Sequence, residues 1–73
     1  MSQIARLIAA CQPSKHFMGL WVVRQKRVRE RRVLWVTTWW DRDGEYSESR
    51  FFRDPIRALR ACAKDLGVRE REP

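Results

Sequence analysis

The sequence predicts an α+β fold in the order α-β-β-β-α, with a three-stranded antiparallel sheet and two helices packed on one side of it. Three observations predict it. Apolar residues recur at helical spacing near both ends, three β-rich segments lie between them, and Asp43-Gly44 joins the last two segments. Seventy-three residues make one domain at most, and 44% hydrophobic residues with four Trp separate the chain from disordered ones. Residues 1–67 are expected to form that domain, and the charged tail 68–73 to fray.

Residues 2–12 read as the first helix. Ile4, Leu7, Ile8 and Cys11 fall at i, i+3, i+4 and i+7, one apolar stripe. Ser2 can cap the start, and Pro13 stops the helix. A connector over 14–18 is expected next, with Gly19 breaking it. The first strand is expected over 20–26, beginning with Leu20, Trp21, Val22 and Val23. The second, 33–40, holds two Val, two Thr and three Trp in eight residues. The third, 46–52, is more polar and reads as an edge. A two-residue turn at Asp43-Gly44 would pair Val36 with Phe51 and Trp35 with Phe52. Leu34, Val36, Trp40 and Phe51 would then share one face, and Val33, Trp35, Trp39, Tyr46 and Phe52 the other. Both faces are aromatic. Two short helices cover only one, so some Trp or Tyr is expected at the surface as a contact platform. The last helix, 54–66, is marked by Asp54 as N-cap, Pro55 at the first helical position and Gly67 after the last turn. Ile56, Leu59, Ala63 and Leu66 line up as its apolar face.

Charge is concentrated. Arg24, Lys26, Arg27, Arg29, Arg31 and Arg32 crowd nine residues against a single acid, Glu30, so this window carries +5 of the net +7. A focused positive field attracts polyanions or an acidic protein face. Thirteen of the sixteen cations are Arg, which pairs with phosphate or carboxylate in a planar, bidentate way. The window is placed in the connection between the first two strands and is the main binding candidate, together with Trp39 and Trp40. Those two Trp must point to opposite sides of a strand, so at most one is core. Arg57, Arg60 and Lys64 form a secondary basic stripe at i, i+3 and i+7 of the last helix.

Other chemistries find little support. Cys11 and Cys62 lack CxxC or zinc spacing and read as buried reduced thiols, so neither a disulfide scaffold nor a metal site is expected. Asp41-x-Asp43-Gly44-Glu45 lacks the later ligands of a calcium loop and reads as a turn. His16, the sole histidine, has no nucleophile or orienting group around it, and no glycine-rich phosphate loop is present. Neither a cofactor nor enzymatic activity is expected. Ile8-Ala9-Ala10-Cys11 mimics a lipoprotein cleavage box, but Arg6 interrupts the preceding apolar run. No stretch reaches the ~20 apolar residues of a membrane span. A soluble, cytoplasmic monomer is expected.

Resemblances extend this reading. The element order, with Val33-Leu34-Trp35-Val36-Thr37-Thr38, the Asp43-Gly44 turn and Ala58, Ala61 and Ala63 in the last helix, resembles double-stranded RNA-binding domains. Where that family carries a lysine clamp at the start of the last helix, this chain has Asp54-Pro55-Ile56-Arg57. Residues 35–66 are also similar to the three-strand-plus-helix units of AP2 and integrase arm-binding domains, which insert a sheet into the major groove. In length and Arg- and Trp-rich basic character, the whole chain resembles the small regulators that lytic phages make against host RNA polymerase. That likeness implies inhibition of initiation, or antitermination, through contacts on the polymerase in the host cytoplasm. The expected function is therefore a non-enzymatic transcription regulator whose partner is an acidic protein surface. A double-stranded nucleic-acid-binding module is the alternative.

Overall fold

The structure is a computed structural model that describes residues 2–24, with the backbone alone at Arg24, and residues 33–69. The elements follow the order α1 (Gln3–Cys11), β1 (Phe17–Arg24), β2 (Val33–Trp40), β3 (Tyr46–Phe52) and α2 (Pro55–Leu66). The three strands form one antiparallel sheet in the order β1-β2-β3. This is the α-β-β-β-α architecture of the α+β class. Helix α2 lies against all three strands, and α1 packs mainly on α2.

The helix ends follow their sequence signals. The Ser2 hydroxyl accepts from the Ala5 N–H at 3.2 Å, capping α1. Asp54 caps α2 by accepting from the Arg57 N–H at 3.0 Å, with Pro55 in the first turn. Gly67 closes α2 in the left-handed region at φ 69°. Its N–H bonds to Lys64 O, and the Val68 N–H reaches back to Ala63 O, the paired bonds of a Schellman ending. Val68 packs against the core. The ordered structure thus runs past Leu66, and residues 70–73 lie outside the described residues.

Strand β1 begins earlier than the sequence suggests. Phe17, Met18 and Gly19 belong to it, so Gly19 does not break the chain. The pairing register with β2 shifts between Phe17 and Gly19. That irregularity has a purpose in packing. Phe17, Gly19, Trp21 and Val23 share the same parity and would otherwise share a face. With one extra residue inserted, Phe17 opposes Trp39 on the helix-covered side, while Gly19 and Trp21 oppose Thr38 and Val36 on the other.

The β2–β3 register also corrects the expectation. Trp35 pairs with Phe51 and Leu34 with Phe52, one residue away from the pairing of a two-residue turn. The loop is longer because Asp41 organises it. Its Oδ1 accepts from the N–H groups of Asp43 and Glu45, both at 2.9 Å, and its carbonyl accepts from the Gly44 N–H at 3.0 Å. Asp at the first turn position and Gly at the fourth are the residues such a turn favours, and Gly44 takes φ 76°. Phe51 therefore shares a face with Trp35 and Trp39, whereas Tyr46 and Phe52 join Leu34, Val36 and Trp40.

The core lies between the sheet and the helices. Cys11, Trp39, Cys62 and Ala63 form a buried cluster, flanked by Phe17, Leu66 and Val68. Leu7, Ala58 and Leu59 are fully buried as well. The buried face of α2 is thus Ala58, Leu59, Cys62 and Ala63, rotated from the expected stripe, with Ile56 and Leu66 only half-buried. Small side chains let the helix sit close to the sheet, and the Ser49 hydroxyl donates to Ala58 O at 2.8 Å across the gap.

Candidate binding face

Among the described residues, helices cover one side of the sheet only. The other side is an open trough built on strand β2. Leu34, Val36 and Thr38 form its floor, all buried although neither α1 nor α2 lies over them. Met18, Trp21 and Val23 of β1 wall it on one side, and Tyr46, Glu48 and Arg50 of β3 on the other. The concavity measures about 490 Å³. The rims are apolar and exposed: Trp21 is 54% exposed, Tyr46 52%, Phe52 51% and Trp40 43%. Met18, Trp21, Val23, Trp40, Tyr46 and Phe52 thus make this side of the domain an exposed apolar patch.

Local chemistry holds the trough in shape. The Trp21 indole N–H donates to the Thr38 hydroxyl at 2.8 Å, which fixes the ring over the strand pair. Gly19 makes room for it. A Cβ there would stand 3.1 Å from the Trp21 six-membered ring, so the absent side chain lets the indole lie against the backbone. On the opposite wall, Arg50 and Glu48 pair at 2.8 Å and the Tyr46 hydroxyl donates to Glu48 at 3.2 Å. Partial desolvation, and next that bond to Glu48, hold the Tyr46 phenol above its ordinary pKa. Trp40 and Tyr46 meet edge to face, their centroids 6.1 Å apart at 77°. The trough therefore presents an apolar floor and walls whose one cation and one anion neutralise each other.

The sequence-derived candidates distribute unevenly. Trp40 stands on the open face. Trp39 does not: it is 5% exposed in the core, and its indole N–H donates to Asp65 at 2.6 Å. Its place on the helix-covered side removes it from any contact surface. Lys26, Arg27, Arg29, Arg31 and Arg32 lie outside the described residues, as does the side chain of Arg24. The window nevertheless leaves the sheet at Arg24 and returns at Val33, two residues paired at one end of the strands. Phe52 and Arg53 occupy the same end, where the Arg53 N–H donates to Val33 O. Arg57, Arg60 and Lys64 are exposed on α2, on the side of the molecule away from the trough. Arg57 is engaged with Asp54 at 3.4 Å, so the start of α2 carries its own counter-charge where a phosphate clamp would need free cations.

The sequence reading missed Met18, Trp21, Val23, Arg50 and Phe52. The signal for them was the alternation in β1 and β3, which becomes readable only once the bulge and the turn length are known.

Near the α1–α2 junction Cys11 and Cys62 meet in the core. The hydrogen bond with Cys11, then burial, then the nearby charges of Cys11 and Asp65 push the Cys62 thiol far up. Both cysteines are free thiols. Among the described residues no group of His, Cys, Asp and Glu is arranged to hold a metal ion, and no helix is long and apolar enough to cross a membrane.

Comparison with protein-family models, curated proteins and solved structures returns no match.

Proposed function

We propose that this chain is a small non-enzymatic regulator that docks on a protein, with bacterial RNA polymerase as the target and inhibition of initiation or antitermination as the outcome. The observation that carries the docking reading is the open trough. Its exposed aromatic and aliphatic rims surround a neutral Arg50–Glu48 pair, a composition suited to apolar protein contact rather than to phosphate. The target and the outcome rest on the resemblance in size and basic character to phage regulators of that enzyme. In this mechanism the basic window at 24–32 steers the domain to an acidic surface, and Trp21, Trp40 and Tyr46 supply the anchoring area.

The test is retention of purified bacterial RNA polymerase by the immobilised protein at moderate salt, alongside binding to free duplex DNA and RNA. Retention with weak duplex binding is expected. Replacing Arg27, Arg29, Arg31 and Arg32 with Ala is expected to leave the circular dichroism and melting profile intact and to lower polymerase affinity at least tenfold. Tight, salt-steep binding to naked duplex without polymerase retention would support the nucleic-acid alternative instead.

A further inference from the structure

We infer that the trough is the seat of an amphipathic α-helix of the partner, one that carries acidic side chains beside its apolar stripe. The inference rests on the docking reading above and names the occupant of that surface.

Backbone hydrogen bonding selects the helix. The trough lies on the face of the sheet, and β2, which forms its floor, already spends its N–H and C=O groups on the strands at either side. An extended segment laid there would bury its own backbone polar groups against Leu34 and Val36 without partners, which costs several kcal/mol per group on water-to-hydrocarbon scales. A helix satisfies its backbone internally and offers side chains alone, as α2 does on the opposite side of the same sheet. The floor from Leu34 to Thr38 spans roughly 13 Å at about 3.3 Å per residue, which corresponds to about two and a half helical turns.

Charge selects the acidic character. Inside the trough, Arg50 and Glu48 cancel, so the seat itself favours apolar side chains. The chain leaves the sheet at Arg24 and returns at Val33, at one end of the strands, and the sequence over 24–32 holds six basic residues against one acid; Arg53 lies at that same end of the strands. A helix long enough to fill the floor reaches that end, and carboxylates on its flanks meet the positive field there. Nucleobases fit less well. Trp40 and Tyr46 are set edge to face and offer no parallel platform, and Arg50, the cation among the trough's lining residues, is already paired with Glu48 rather than held out for a phosphate.

Two synthetic 18-residue peptides test the inference. Both carry Leu at helical i, i+3, i+4 and i+7 spacing, with Glu at the flanking positions in one and Lys in the other. Titration into the full-length protein is followed by the indole N–H resonances of Trp21 and Trp40. The Glu peptide is expected to shift both saturably and to bind at least tenfold more tightly than the Lys peptide. Met18→Glu is expected to weaken it at least tenfold, with Tyr46→Ser as the second variant should Met18→Glu disturb the fold. Equal affinity for the two peptides, or no shift with either, overturns the inference. So does a tighter response to a twelve-residue oligothymidylate, or trough shifts that grow with protein concentration alone, which would place a second copy there. Polymerase retention that survives Met18→Glu overturns the helix seat and leaves the proposed function standing.

Discussion

Thr37 is buried to the last of its surface in the sheet, and its hydroxyl has no hydrogen-bond partner among the described residues. A buried hydroxyl left unpaired costs about 1–3 kcal/mol, so Thr37→Val, which keeps the shape and removes the polar atom, is expected to stabilise the fold by ~1 kcal/mol. A rise in Tm of about 4–8 °C in calorimetry would register it. Its neighbour Thr38 shows the contrasting case, because that hydroxyl receives the Trp21 indole and belongs to the trough. The two buried thiols give a second residue-scale expectation. The hydrogen bond between the two thiols and burial raise the Cys62 pKa, so Cys62 stays protonated at pH 8; the same bond lowers that of Cys11, whose protection is its complete burial in the core. Native protein is expected to resist Ellman's reagent at both cysteines, and guanidinium-unfolded protein to release two equivalents. Prompt reaction of the native form would show that α1 lifts away from α2 on the timescale of the assay.

At the scale of elements, the junction from β3 to α2 turns within two residues. Arg53 takes φ 56°, a left-handed conformation that a side chain makes unfavourable, and Asp54 immediately caps the helix. Asp54→Ala is expected to destabilise by about 1 kcal/mol through loss of the cap, whereas Arg53→Gly is expected to cost nothing or to gain up to ~1 kcal/mol. Denaturant titrations of the two variants, compared at their midpoints, would check the opposite signs. The caps of α2 were legible in the sequence because Asp54, Pro55 and Gly67 act locally. The strand register was not. Asp43-Gly44 suggested a two-residue turn, but the Asp41 carboxylate gathers the N–H groups of Asp43 and Glu45 and lengthens the loop by one. The spacing of Asp41 to Gly44 was the available signal, and the stronger dipeptide masked it. The start of β1 escaped for a related reason, since a glycine normally weakens a strand and Gly19 is tolerated here because Trp21 fills its place.

The whole molecule is a two-layer slab about 14 Å thick at its narrowest, and among the described residues one sheet face is left without a covering layer. Element order and class were legible from periodicity, and so was the surplus of aromatic residues over the area two helices can hide. Which aromatics stay outside was not legible, because α2 decides it: Trp39 lies beneath the helix with its N–H on Asp65, while Trp40 points the other way. The charge layout sets an expectation at this scale. Raising salt from about 0.05 to 0.3 M is expected to slow association with an acidic partner several-fold while leaving dissociation nearly constant, because screening acts on approach and the apolar trough holds the complex. Stopped-flow mixing followed by Trp fluorescence would separate the two rates, and a salt-driven rise in the dissociation rate would assign the holding force to the arginines instead.

The hairpin at 41–45 carries Asp41, Asp43 and Glu45 against Arg42, while the chain leaves for the basic window at the opposite end of the strands, between Arg24 and Val33. By sequence the two ends of the β1–β2 pair thus adjoin segments of opposite net charge, −2 over 41–45 and +5 over 24–32. In the field of an anionic target such a body rotates before it touches and arrives end-on, with the aromatic face still turned sideways. On the docking proposed above, seating that face would require the slab to swing down about its cationic end, which would make capture and locking separate kinetic events.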